Sequence, residues 1–146
     1  MAETAAFLVD HVLRVAPVRQ WVLSLPIALR YRLAYDSQLA ADVLQLFIRA
    51  VFSSLRRRAR RKLGPGKYEW GAITFVQRFG DALNLNLHYH SIVLDGIYRT
   101  DESGRSRFRA LPVPDDKEVE RVTRRIVRSL GDSQPSEIPV ARSQVP

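Results

Sequence analysis

The chain has 146 residues, 46% of them hydrophobic and 26% charged, which is the size and balance of one ordinary domain. These values exclude a collagen-like or wholly disordered protein, and the absence of cysteine excludes a disulfide framework, a thiolate nucleophile and a cysteine zinc site. Lys plus Arg is 23 against 15 Asp plus Glu, a formal charge of +8 carried almost entirely by arginine, whose paired donors match phosphate oxygens and lean toward nucleic acid.

Residues 1–17 read as a helical lead-in, with Phe7, Leu8, Val12 and Val15 near helical spacing and Pro17 closing it. Met1 to Asp10 carries Glu3 and Asp10 without a basic stretch before an apolar one, so no signal peptide is expected. No apolar run approaches the roughly 20 residues of a membrane span, and a cytoplasmic location without membrane contact follows. Arg19 to Leu25 is short, aromatic and β-branched, and predicts a strand with Trp21, Leu23 and Leu25 on one face.

Residues 27–63 are the long helical stretch. Asp36 or Ser37 suits its N-cap, and Leu39, Val43, Leu46, Phe47, Ala50, Val51 and Leu55 recur at steps of three and four. The basic run Arg56 to Lys62 ends it before Gly64-Pro65-Gly66. Glu69 to Phe79 alternates as one strand, Gly80-Asp81 turns the chain, and Leu87 to Leu94 forms the next strand. Asp95-Gly96 predicts a hairpin into Ile97-Tyr98-Arg99, and a short strand follows around Phe108 to Leu111. After Asp115-Asp116 a helix keeps Val119, Val122, Ile126, Val127 and Leu130 on one side. Residues 132–146 are expected to be a disordered tail. The order implies an α+β fold with a mainly antiparallel sheet packed against a long helix.

Two of the three histidines stand at His88-Tyr89-His90 within a strand. Side chains two apart on a strand share a face, about 6–7 Å apart, so both imidazoles could clamp one divalent ion. The pair has a bland reading too, one buried imidazole and one hydrogen-bonded at the sheet edge.

The ordered series Gly71-Ala72-Ile73-Thr74-Phe75-Val76-Gln77-Arg78-Phe79-Gly80, Leu83-Asn84-Leu85-Asn86-Leu87-His88-Tyr89-His90 and Val93-Leu94-Asp95-Gly96-Ile97-Tyr98 resembles rolling-circle transposases of the insertion sequence 91 type. Val18 to Pro26 resembles the lead-in of the same family, and the likeness covers roughly residues 8–130. It implies a partial HUH-endonuclease-like domain over residues 18–131 and single-strand cleavage and joining in DNA transposition. It also implies a divalent metal, Mg or Mn, held by His88 and His90, with Gln77 as a candidate third ligand or else a sheet-edge amide or DNA contact. The implied partner is DNA, single-stranded or hairpin ends of a mobile element.

In that family the nucleophile is a tyrosine on a helix well downstream of the histidines. Tyr31 and Tyr35 mimic a two-tyrosine spacing but lie upstream and are expected to be packing residues; Tyr89 points away from the histidines. No catalytic tyrosine is assigned, and the chain reads as a truncated transposase lacking the nucleophile segment and the family's cysteine-rich zinc domain. Arg56, Arg57, Arg58, Arg60, Arg61, Lys62 and Lys67 are candidate DNA contacts or a solvated helix end; Arg99, Arg105, Arg107 and Arg109 form a second cluster. The rival reading is a basic nucleic-acid-binding α+β module with a structural histidine pair and no catalysis.

Overall fold

Alternation in β1 (Val18–Ser24) and β4 (Leu85–Leu94) dictates the sheet: Arg19, Trp21, Leu23, Leu87, Tyr89, Ser91 and Val93 are buried, and the residues between them are half-exposed. A computed structural model describes residues 16–79, 84–131 and 140–144. The main sheet has four antiparallel strands in the order β3-β4-β1-β7, with β3 at Ala72–Phe79 and β7 at Val140–Gln144. A smaller sheet, β2-β5-β6, joins Tyr68–Glu69, Gly96–Thr100 and Ser106–Ala110. The fold is α+β, as expected.

The buried sheet face meets α1 (Ile27–Tyr35) and above all α2 (Ser37–Leu63). The Asp36 carboxylate accepts from the Leu39 amide at 2.9 Å, satisfying one of the orphan donors that begin α2. Val43, Phe47, Ala50, Val51, Leu55 and Ala59 then form its buried stripe, and Gly64 ends it at φ 75°. By length and composition alone α2 is long and apolar enough to cross a membrane, an exception to the expectation that no stretch is. Its apolar stripe is instead spent on the core.

The last helix, α3 (Asp116–Leu130), is capped by the Asp115 carboxylate and packs Val122 and Ile126 against α2. Glu118 in its first turn is buried, where it accepts from Arg57 and Arg121.

Several expectations are corrected. The alternating run from Glu69 breaks at Trp70-Gly71, so that β2 pairs with β5 while β3 pairs with β4. Asp95-Gly96 is not a hairpin turn: β4 and β5 do not pair, and the chain passes there from one sheet into the other. Asp95 is taken by Arg19, whose Nε and Nη2 reach its two oxygens at 3.0 and 2.6 Å. Gly96 stands under Phe108, and a Cβ there would lie 2.5 Å from the Arg109 carbonyl oxygen.

The expected tail contains β7, which pairs with β1 from Gln20 opposite Gln144 to Ser24 opposite Val140. Its backbone bonds, rather than any apolar periodicity, hold it. Of the helical lead-in expected over residues 1–17, residues 1–15 lie outside the described residues, as does the Gly80-Asp81 turn.

Candidate metal centre and nucleic-acid interface

Directly opposed residues of antiparallel strands project to one face, so the register assigns the open side of the sheet row by row. One row is Ser24, His88 and Gln77; the next is Val22, His90 and Phe75. Gln77, the candidate third ligand, therefore shares the face of both histidines. Arg142 of β7 extends the second row, being paired with Val22, and is exposed.

The imidazole centroids of His88 and His90 lie 4.6 Å apart, with the rings tilted by 60°. His88 Nδ1 is 2.6 Å from the Asn86 carbonyl oxygen. A carbonyl only accepts, so Nδ1 carries the proton and Nε2 keeps its lone pair. His90 Nδ1 is 2.6 Å from the side-chain amide of Gln20. With the amide nitrogen donating, the proton sits on His90 Nε2, which is buried without a partner. A half-turn of the amide offers its oxygen to Nδ1–H and frees Nε2 as a ligand. Burial first, then the neighbouring His88, lowers the His90 pKa and favours the neutral, ligating imidazole.

The donor set fits a divalent ion in chemistry: two imidazole nitrogens whose second nitrogens are held by oxygen or amide partners. Gln77 donates its amide nitrogen to the Phe79 carbonyl at 3.0 Å, leaving Oε1 as its only ligating atom. Among the described residues no group of three or more His, Cys, Asp or Glu converges on a metal-sized site. Further ligands would thus be amide, water or phosphate oxygens.

The tyrosines are placed elsewhere. Tyr89 is fully buried on the core face and donates to the Ala40 carbonyl at 2.9 Å. Burial pushes its phenol up to about 12, partly offset by Arg78. Tyr68 donates to the Gly64 carbonyl, and Tyr98 meets Phe108 edge-on at 5.4 Å. Tyr31 and Tyr35 are 55% and 89% exposed on α1, which corrects the expectation that they pack. Leu29 and Leu33 take the inner side of that short helix instead. None of these five phenols projects from the histidine face of the sheet.

Above pH 10 the unfolded chain releases the Tyr89 proton while the folded chain holds it, so stability falls as pH climbs toward about 12. Tyr89→Phe is expected to flatten that part of the alkaline limb, read as urea midpoints from about pH 9 to about pH 12. An unchanged limb would contradict the burial of this phenol.

The basic end of α2 divides in two. Arg58 is buried, donates to the Pro112 carbonyl at 2.6 Å, and has its pKa lowered by burial. Arg57 pairs with Glu118, and Lys62 donates to the Ala110 carbonyl at 2.9 Å. Arg56, Arg60, Arg61 and Lys67 are exposed, with no side-chain partner among the described residues. Two of the residues that matter here were not singled out in the sequence. Gln20 could have been found as an amide among Val18 and Val22 on the face of the strand opposite Trp21; Arg142 gave no signal.

Residues 71–137 match a family model, Y2_Tnp, described as "Putative transposase". Over that span the chain is similar to transposases. The span is just under half of the chain and carries Gln77, His88 and His90 together with α3. It supports a transposase function in general, with DNA as the partner. No curated protein and no solved structure matches the chain.

Proposed function

We propose that this chain is the metal- and DNA-holding part of a rolling-circle transposase of the HUH type. The observation that carries the reading is the cofacial His88–His90 pair, one nitrogen of it buried and unpartnered, inside the span similar to transposases. His88 and His90 hold Mg or Mn, with Gln77 Oε1 as the third protein donor. Gln20 and the Asn86 carbonyl orient the two rings. When bound, the ion polarises a scissile phosphate and offsets its developing charge.

The exposed cations Arg56, Arg60, Arg61 and Lys67 track single-stranded or hairpin DNA through its phosphates. None of the chain's five phenols projects from the histidine face, so this reading assigns the role of attacking tyrosine to none of them. The attacking oxygen would bond to phosphorus as the P–O3′ bond breaks, leaving a 5′-phosphotyrosine and a free 3′-OH.

Among the described residues no third imidazole or carboxylate joins the pair, which favours a second reading, a DNA-binding module with structural histidines. An adduct assay tests the proposal. The chain is mixed with end-labelled single-stranded DNA and Mn²⁺, then run on native and denaturing gels. We expect DNA bound on the native gel and no labelled protein on the denaturing gel. A band that survives denaturation would place a nucleophile within this chain, and exposed Tyr31 and Tyr35 would be the first to substitute. No native shift would remove the DNA-binding half of the proposal.

A further inference from the structure

A cleft of about 480 Å³ lies between the C-terminal end of α2 and the β5–β6 ribbon, lined by Leu63, Thr100 and the charged residues treated below. None of its lining residues belongs to the four-stranded sheet. We propose that this cleft is a second nucleic-acid site that grips phosphodiester backbone, an inference that rests on the reading of the chain as a DNA binder.

The register builds it. Arg99 is paired with Arg107 and Ile97 with Arg109, so three guanidinium groups share one face of the ribbon. Tyr98 and Phe108 occupy the other face, their rings edge-on at 5.4 Å. Like charges directly opposite on two strands destabilise a ribbon, and a bound anion would reverse the sign of that contribution.

Arg99 is fixed in place, donating to the Leu63 and Pro65 carbonyls at 3.0 and 3.5 Å at the end of α2. Arg107 and Arg109 are exposed and have no partner among the described residues. Lys62, bonded to the Ala110 carbonyl, adds a cation beside them. Alternate residues on a strand lie about 6.8 Å apart, so Arg107 and Arg109 form a row suited to successive phosphates rather than to one compact anion.

Two carboxylates also line the cleft, Asp101 and Glu102. Asp101 Oδ1 is committed to the turn, accepting from the Ser103 amide, the Ser103 hydroxyl and the Arg105 amide at 3.0, 2.6 and 3.0 Å. Those bonds keep it ionised, its pKa lowered first by the Ser103 hydroxyl and then by the Arg105 amide. Asp101 Oδ2 is also paired with Arg105 Nε at 3.6 Å, so Glu102 is the carboxylate of the turn that repels a phosphate and favours the row of Arg107 and Arg109.

The test is fluorescence anisotropy with single-stranded DNA of about 20 nucleotides, over a range of salt, using the full chain. Arg107→Ala with Arg109→Ala should weaken binding about 10-fold or more and shrink the salt slope by about 1.4, two phosphate contacts at about 0.7 each. Arg124→Ala with Arg128→Ala removes the same charge from α3 and should change binding less than about 3-fold. Equal losses in the two double variants, or none in the first, overturn the cleft while leaving DNA binding intact. Full displacement by millimolar inorganic phosphate would assign a single anion and overturn the backbone assignment. No DNA binding by the unsubstituted chain overturns both this site and the function it rests on.

Discussion

His88→Ala combined with His90→Ala should weaken Mn²⁺ binding by about 100-fold or more, since removing even an outer partner of a ligating histidine costs about 10–100-fold. Both rings stand on the open face of the sheet and are only half-buried, so their loss leaves no cavity in the core. The far-ultraviolet spectrum and the urea midpoint should stay close to those of the parent. Metal-free DNA binding through Arg56, Arg60, Arg61 and Lys67 should also persist, because those side chains lie at the end of α2 and in the loop after it. Gln20→Ala should fall between, weakening Mn²⁺ about 10-fold by freeing His90 Nδ1. Titration calorimetry on the three chains reads the Mn²⁺ and DNA affinities. Equal Mn²⁺ affinity in the parent and the double variant would remove the metal from these residues.

Asp95→Ala is expected to be the most damaging single substitution outside the apolar core. The Arg19 side chain is 5% exposed and that of Asp95 16%, and their two-bonded pairing spans the start of β1 and the junction between the sheets. Without the carboxylate a buried guanidinium is left uncompensated, which costs about 3–5 kcal/mol. Arg58, itself buried, also loses one of the negative charges that favour its ionised form. Against a typical total of about 5–15 kcal/mol, such a loss is large. Arg19→Met with Asp95→Ala should recover most of it, because apolar packing can replace a buried pair of this kind. Urea unfolding of the single and double variants measures the coupling. A single-variant loss under about 1 kcal/mol would contradict the buried-pair account.

The Asp95 pair also shows where a sequence stops being legible. Asp-Gly is a turn signal because its local conformations favour a hairpin, yet here a partner 76 residues away claims the carboxylate. Local chemistry lost to a long-range ion pair. The bounds and buried stripe of helix α2 were legible, since cap, stripe and glycine stop are all written within 29 residues, from Asp36 to Gly64. Strand β7 was not: its pairing depends on the backbone edge of β1, which composition does not report.

The histidine pair followed from strand alternation alone. Its surroundings did not, because Gln77 and Gln20 reach it only through the register of two further strands. The basic run of α2 read as one patch, whereas folding buries Arg58 against the Pro112 carbonyl and pairs Arg57 with Glu118. A charge run has a helical period like any other, and one side of this one faces α3.

The most direct measurement is a Mn²⁺ titration of the unsubstituted chain, followed by water-proton relaxation, with and without single-stranded DNA. The account predicts one saturable site whose affinity rises when DNA is present, as phosphate oxygens complete a shell begun by His88 and His90. The reciprocal gain, tighter DNA binding with Mn²⁺, must be of equal size. No saturable binding, or binding indifferent to DNA, would contradict a shared metal and DNA site on this sheet.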